Sequence, residues 1–318
     1  MPLEFGRGAF IKIGEEGTYG TIASSMPVDN RIISASFQKT QEKERKTHLS
    51  QSGSGGFQNG HFDAFLTVGG SIDLPLLYEG TGMLIKNALG AVTSSAGPAP
   101  FTHIYKPSSD GTISSLSIAL QRGTGITNSK EIFLGCKVSS MNISGSAGEE
   151  ITASFEIIAQ EAQPRAAAIT SSFGTGSQLF HYECGELNFD SATYKMKSFD
   201  FTLDNKLERR NVLGDKKTLE PVVSDVKDVT ITVTLEMEDN VLYTKYLDGT
   251  QNDLYFTLTS GSNTFKILIR NAYIVDYSDD INSFGVIERT MTFVGESDAV
   301  DEAIEIVIVN TQSSAIAN

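Results

Sequence analysis

The sequence predicts a mainly β protein built from two similar units in tandem. Most of its segments alternate apolar and polar residues with the period of two that is typical of a strand buried on one face. The two halves also show the same order of strands, charged loop and short helix. With 318 residues, the chain is long enough to bury a core in each half.

The alternation locates the strands and their core-facing positions. The predicted strands, with their apolar residues in parentheses, are 31–40 (Ile33, Ala35, Phe37), 151–157 (Ile151, Ala153, Phe155, Ile157), 199–204 (Phe199, Phe201, Leu203), 230–238 (Ile231, Val233, Leu235, Met237) and a strand near the end (Met291, Phe293). Two segments have helical spacing instead. These are Leu74–Leu89, with Gly90 as its C-cap, and Asp239–Asp248, with Asp239 as its N-cap.

Repetition of this order divides the chain into two predicted domains. The first covers residues 1–165 and includes an N-terminal arm, and the second covers 166–318, with a linker at its start and a C-terminal arm. The charged loop Gln41–Gly60 has its counterpart in Asn205–Asp228, and residues 137–144 and 151–160 correspond to 267–277 and 286–294 as closing strand pairs. The small residues and Pro164 of segment 161–177 are typical of a linker.

Charge argues against a protein that holds nucleic acid. The net charge is −14, and it is uneven: residues 1–165 carry 13 Lys and Arg against 15 Asp and Glu, whereas residues 166–318 carry 12 against 24. Such an acidic surface repels phosphates. The start of the chain lacks the basic and apolar regions of a secretory signal, and no apolar run is long enough for a transmembrane helix, so we expect synthesis and folding in a cytoplasm.

Catalytic and metal-binding motifs are weak in this sequence. Cys136 and Cys184 are far apart and are expected to be small buried hydrophobes. The four histidines, His48, His61, His103 and His181, lack metal-ligand spacing. Gly80-Thr81-Gly82 is an incomplete phosphate loop. The sequence therefore predicts no catalytic residue, no cofactor and no metal site, and hence no enzyme.

Two acidic features remain, and both have ordinary explanations. Residues 276–282 lack the glycine and the final glutamate of a calcium-binding loop, which favours a solvated loop. Glu236 and Glu238 share one face of a predicted strand, where a pair of carboxylates could raise a pKa. On a threonine-rich strand, a hydrated surface is the simpler interpretation.

The polar phase of the predicted strands is the informative feature. It consists of hydroxyl, amide and acidic groups without lysine or arginine, whereas a solvated face usually mixes both signs. Such a face suits a channel through which DNA slides without sticking, and a ring of copies could enclose that channel while pairing the open sheet edges. The residues predicted to face the lumen are Ser34, Ser36, Gln38, Thr152, Ser154, Glu156, Asp200, Thr202, Asp204, Thr230, Thr232, Thr234, Glu236, Thr290 and Thr292.

Several stretches resemble phage tail tube proteins (major tail proteins) of the two-domain type. They are FIKIGEEGTYGT, GGSIDLPLLYEGTGMLIKNALG (69–90), GCKVSSMNISGSAGEEITASFEIIAQ (135–160) and FDFTLDNKLERRNVLG followed by DVTITVTLEMED. The resemblance implies tandem β-sandwich or partial-barrel domains, each with a flanking helix, that stack as rings into a hollow tube. It also implies that loop 41–60, with Lys43, Glu44, Arg45, Lys46 and His48, contacts the neighbouring ring; the alternative is a charged hairpin tip without that role.

This resemblance predicts a structural virion protein, the self-assembling subunit of a tail tube through which DNA is ejected. Two units per chain favour a trimeric ring over a hexameric one. Its expected partners are other copies of itself, a tape-measure protein, tail terminator and baseplate or tip proteins, and a sheath if the tail contracts; genomic DNA would pass without specific binding, and no membrane is involved. The alternatives are a tail-hub protein, a contractile-injection or type VI tube protein, and a carbohydrate- or cell-binding β module, although such modules display clustered aromatics and this chain has no tryptophan.

Overall fold

The computed structural model describes residues 8–46, 60–123, 130–164, 178–237, 239–279, 286–298 and 302–315. They form a mainly β structure with two α-helices, α1 (Gly82–Leu89) and α2 (Val241–Asp248). The strands of the first half are β1 (Phe10–Glu15), β2 (Val28–Asn30), β3 (Ser34–Ala35), β4 (Gln38–Lys46), β5 (Gly60–Pro75), β6 (Gly90–Ser94), β7 (Phe101–Pro107), β8 (Leu116–Gln121), β9 (Lys130–Ser146), β10 (Thr152–Ala159) and β11 (Glu161–Pro164). Those of the second half are β12 (Gly185–Phe189), β13 (Ala192–Tyr194), β14 (Met196–Asp204), β15 (Leu207–Arg210), β16 (Leu219–Val223), β17 (Asp228–Glu236), β18 (Asn252–Ser260), β19 (Asn263–Ser278), β20 (Glu288–Val294) and β21 (Ile304–Asn310).

One antiparallel sheet, here called the large sheet, runs through both halves. Its order is β4–β5–β10–β9–β14–β17–β20–β19, with β3 sharing the place of β4 beside β5. The halves meet where β9 pairs with β14, in a continuous register from Ser146 opposite Ser198 to Ser140 opposite Asp204. We call this pairing the junction. The sheet is open, so β4 and the second part of β19 are its end strands.

Each half packs a second sheet against the large one. In the first half this outer sheet has the order β2–β1–β8–β9–β11, and in the second it is β13–β12–β18–β19–β21, extended by β7 and β6. The long strands β9 and β19 contribute to both sheets of their half. Each turns from one sheet to the other at a residue with positive φ, Gly135 (63°) and Asn271 (45°).

The core lies between the sheets and follows the alternation of the strands. On β10, Ala153, Phe155 and Ile157 are buried, while Thr152, Ser154 and Glu156 reach solvent on the other face. This burial is the main stabilising term for such a sheet. Helix α1 is buried against β9, where the Asn87 side chain accepts a hydrogen bond from the Val138 backbone N–H (2.8 Å). None of the described helices is long and apolar enough to cross a membrane.

The strand order repeats between the halves, and so does one irregularity of register. In the β9–β10 pair the register skips Ser139, and in the β19–β20 pair it skips Val275. In the large sheet, β4 of the first half therefore corresponds to β14 of the second, β5 to β17, β10 to β20 and β9 to β19. The division into domains 1–165 and 166–318 stays a prediction, since the large sheet continues across the junction.

Both predicted helices are shorter than expected. Helix α1 begins at Gly82 rather than Leu74, because Leu74 still belongs to β5 and Gly80, with φ of 94°, changes the chain direction before the helix. Helix α2 begins at Val241, whose N–H donates to the Asp239 carboxylate (3.0 Å).

The predicted loops also contain strands. Residues 41–46 continue β4 and pair with β5, so the charged loop starts later than expected; residues 47–59, including His48, lie outside the described residues. The counterpart loop contains the β15–β16 hairpin. In the predicted linker, residues 161–164 form β11, and 165–177 lie outside the described residues. Ile33 was expected in the core but is 51% exposed, because it precedes β3 and its alternation.

Candidate functional site

The outward face of the large sheet, here called the polar face, carries all the residues that the sequence predicts to face a lumen. The registers of neighbouring strands place them side by side, and each is exposed or half-buried. One row crosses the junction through Thr152, Ser144, Asp200, Thr232 and Thr292. The structure thus collects these side chains, which are scattered in sequence, on one continuous surface.

Hydrogen bonds between neighbouring strands order the polar face. The Asn142 amide on β9 donates across the junction to Asp200 (2.8 Å) and Thr202 (3.0 Å) on β14. The hydroxyls of Thr232 and Thr292 are 3.0 Å apart. Because these groups satisfy one another, the face holds its polar side chains in place and offers few free donors to a phosphate.

Further toward β5, Asp73 organises the face in the same way. Its carboxylate accepts hydrogen bonds from Ser34 and from Ser154 (2.6 Å). The two serine hydroxyls therefore stabilise the negative charge of Asp73 through charge-assisted hydrogen bonds from the neighbouring strands. The sequence did not single out Asp73, because it lies on a strand whose glycines obscure the alternation.

Carboxylates outnumber cations on the polar face among the described residues. Its acidic members are Asp73, Glu156, Asp200, Asp204, Asp228, Glu236, Asp276 and Glu288. Two lysines stand at its margins, where the alternation of the sequence gives no sign of them. Lys197, on a bulge of β14, forms ion pairs with Glu236 and Glu288, and Lys206 does so with Asp204 and Asp228. Both cations are thus neutralised by paired carboxylates.

The ion pairs at this margin shift pKa values. Burial alone would raise the pKa of Asp204, but hydrogen bonds from Lys206 outweigh it and hold that pKa below its ordinary value. The hydrogen bond to Glu288 raises the pKa of Lys197. Both shifts favour the charged forms at neutral pH, so the pairs persist there.

A depression of about 640 Å³ lies on the polar face where the halves meet. Its lining includes Ser144, Glu149, Glu150, Asp200 and Thr232. The lining is acidic and hydroxyl-rich, like the rest of the face. It adds no positive group that would bind an anion.

Of the two cysteines, Cys136 is buried as the sequence predicts, whereas Cys184 is only half-buried, with its Sγ 3.8 Å from His181 Nδ1. His103 is buried beside β21, where its ring nitrogens contact Ser94 Oγ (2.8 Å) and the Gln312 carbonyl (2.9 Å). Burial raises the pKa of Cys136 well above its ordinary value, so this thiol is kept neutral. Within the described residues, no group of three metal-ligating side chains comes together.

Acid is expected to weaken the contact between the two halves. Burial opposes ionisation of Glu161 on β11, but hydrogen bonds from Lys217 (2.6 Å) and Gln163 lower its pKa. A depressed carboxylate pKa contributes stability that is present above the unfolded-state value, about 4.3, and is lost as the pH falls through the folded-state value. We expect Lys217→Gln to remove less than about 1 kcal/mol from the free energy of unfolding at pH 7 and almost nothing at pH 2. Urea titrations at both pH values check this; an equal loss at the two would contradict it.

Comparison with known proteins assigns the family. No curated protein matches the chain. A family model described as phage tail tube protein matches residues 6–307, which is nearly the whole chain and includes every strand of the polar face. Both the strand-rich fold and the match across both halves agree with the resemblance seen in the sequence. The chain therefore belongs to the phage tail tube protein family.

Proposed function

We propose that copies of this chain assemble into stacked rings and that the polar face lines the conduit through which DNA leaves the virion. The observation that carries the proposal is the polar face itself: one continuous, acidic and hydroxyl-rich surface spanning both halves. Phosphate binding by proteins depends on lysine and arginine displacing counterions. A surface whose marginal lysines are neutralised by paired carboxylates lets DNA pass at low friction.

Several copies are needed to enclose such a conduit. The large sheet contributes eight strand positions and is open. An eight-stranded barrel is filled by its own side chains, whereas barrels of about 16–18 strands leave an aqueous channel. Three copies would supply about 24 strands in a closed wall, which favours a trimeric ring with six units over a hexamer of the whole chain.

The other partners follow from the role in the tail. The tube would surround a tape-measure protein, end at terminator and baseplate or tip proteins, and carry a sheath if the tail contracts. Its place of action would be the virion tail after synthesis in the host cytoplasm. The family assignment supports a tail component; the particular partners are proposals.

Electron microscopy of the purified chain tests this function. We expect rings or hollow filaments at high protein concentration, with stain filling a central channel, because closing the open sheet pairs its end strands. Three-fold symmetry of the ring would support the trimer. A chain that stays monomeric at concentrations where the same preparation is fully folded would contradict the proposal.

A further inference from the structure

We propose that the contact between the two halves within one chain is repeated between chains. In this arrangement β4 of one copy pairs with the second part of β19 of the next copy in the same ring. The hairpin that extends β4 and β5, here called the first-half arm (segments 43–46 and 60–63), lies over the second half of that copy, with Arg45 inserted as Arg209 is inserted within the chain. The inference rests on the proposed ring and specifies the surfaces by which its copies meet.

The template is the way the second-half arm (Leu207–Val223) docks inside the chain. It extends β14 beyond the junction and lies over the first half. Arg209 donates to two backbone carbonyls of the first half, that of Val68 within β5 (2.6 Å) and that of Ala159 at the end of β10 (3.2 Å). Glu220 forms an ion pair with the buried Lys137 (2.7 Å). Because its guanidinium satisfies two carbonyls of the first half, Arg209 fixes the second-half arm to that half.

The first-half arm carries the same arginine without the same partners. Residues 205–210 (NKLERR) follow β14 as residues 41–46 (QEKERK) follow the start of β4, so Glu44-Arg45 corresponds to Glu208-Arg209. Arg209 is half-buried, whereas Arg45 is exposed, and its guanidinium makes no hydrogen bond with the described residues. The acceptors that correspond to Val68 and Ala159 are the carbonyls of Val229 and Gly295 in the second half. Arg45 can reach these two carbonyls only in a neighbouring copy whose second half is placed against β4 as the first half is placed against β14 within the chain.

The junction also fixes the register between copies. Within the chain, Thr202 is opposite Asn142 and Asp204 is opposite Ser140. The corresponding residues in the repeated strand order are Gln38 and Thr40 on β4, and Ser278 and Asp276 on β19. Gln38 is therefore placed opposite Ser278, and Thr40 opposite Asp276. Both pairs have their side chains on the polar face, so the face continues from copy to copy.

Apolar side chains are exposed near both end strands. Near β4, Ile33 is 51% and Phe65 is 42% exposed; near the second part of β19, Leu247 is 64% and Val275 is 42% exposed. The backbone carbonyl of Ser139, the residue that corresponds to Val275, accepts a hydrogen bond from the Asn205 backbone N–H across the junction (2.8 Å). Pairing the end strands would cover these apolar groups, which a lone molecule leaves in water.

Electrostatic attraction also favours the pairing of β4 of one copy with β19 of the next. The first-half arm carries Lys43, Arg45 and Lys46 against Glu44 and Asp63, a net charge of +1, and it would lie on the half of the chain that carries a net charge of −12. The resemblance to tail tube proteins implies a contact between rings for this segment. The internal template instead places Arg45 on the neighbouring copy within the ring.

Paired cysteines test the register directly. Cys184 is first replaced by serine, and the buried Cys136 is kept. In assembled tubes, Gln38→Cys with Ser278→Cys should oxidise to covalent multimers on a denaturing gel. The two positions lie at opposite ends of an eight-strand sheet, roughly 30 Å apart, so a disulfide within one chain is excluded. Lys39→Cys with Ser278→Cys is the matched control, since a slip of one residue turns the side chains to opposite faces.

The outcomes separate this inference from the proposed tube. Multimers with the first pair and few with the control support the inferred register. Hollow tubes without multimers from the first pair, or with more from the control, would overturn it while leaving the tube intact. An absence of tubes before any substitution would contradict the proposed function itself.

The two arginines give a second, independent comparison. Arg45→Ala should raise the concentration needed for tube assembly at least tenfold and leave the urea midpoint of the unassembled chain unchanged. Arg209→Ala should lower that midpoint, because its contacts lie within the chain. Lys43→Ala serves as a charge-matched control for Arg45→Ala. Assembly of Arg45→Ala at the unaltered concentration would count against the inserted arginine.

Discussion

Replacing Ser36, Thr202 and Thr232 together by lysine is expected to reduce DNA delivery by roughly tenfold or more, because each lysine can replace counterions on a phosphate. All three residues lie on the polar face, where Ser36 is exposed and the two threonines are half-buried. A trimeric ring would gain nine positive charges, and every further ring would add as many. The effect should accumulate along the tube. Infectivity of phage particles that carry the variant chain measures it.

A glutamine variant at the same three positions is the matched control. It lengthens the side chains in the same way but adds no charge, so it tests whether bulk alone is responsible. The substitutions remove hydrogen bonds such as the one between Thr202 and Asn142, at about 1 kcal/mol each, and this loss is common to both variants. DNA release from lysine-variant particles should also recover at high salt, where charges are screened. Full infectivity of the lysine variant would show that the polar face does not line the conduit.

Much of the fold could be predicted because the strands bury only one face. On β10 and β17 the apolar phase is regular, and Phe155 and Ile231 are fully buried as the alternation requires. The same regularity identified the polar phase without knowledge of which strands pair. Thr152 and Thr232 are 80 positions apart in sequence. Both could be assigned to the polar face, because each is next to a core residue on its own strand and neighbouring side chains of a strand point to opposite faces.

What could not be predicted depends on bulges and long-range docking. Lys197 has the sequence phase of the buried Phe199, so a period of two would turn it to the core; the β14 register shift instead lets it reach Glu236 and Glu288. The docking of the second-half arm could not be predicted either. The Arg209 side chain donates to the backbone carbonyl of Val68, and every residue has such a carbonyl, so the sequence does not mark the acceptor. Local pattern determines which face a residue occupies, whereas contacts between distant segments depend on the assembled sheets.

Glu16→Ala is expected to lower the free energy of unfolding by on the order of 3–5 kcal/mol. Glu16 follows β1 and is 7% exposed. Its Oε1 accepts from the Ser117 hydroxyl (2.8 Å) and the Gly135 N–H (2.9 Å), and its Oε2 accepts from the Ser115 hydroxyl (2.8 Å) and the Gly20 N–H (2.9 Å). One carboxylate thus ties the segment after β1 to β8 and β9.

Removing that carboxylate leaves the buried Gly135 N–H and the half-buried Gly20 N–H without their acceptor, and neither can rotate toward a new one, as the serine hydroxyls can. Glu16→Gln should therefore fall between the wild type and Glu16→Ala, since its amide oxygen still accepts while its NH₂ faces an N–H. The adjacent Glu15 is the matched control: it forms an ordinary, partly exposed ion pair with Lys86 (2.7 Å), so Glu15→Ala should cost about 1 kcal/mol or less. Urea unfolding of the three variants decides the matter, and equal losses for Glu16→Ala and Glu15→Ala would mean that the four hydrogen bonds contribute no more than a surface pair.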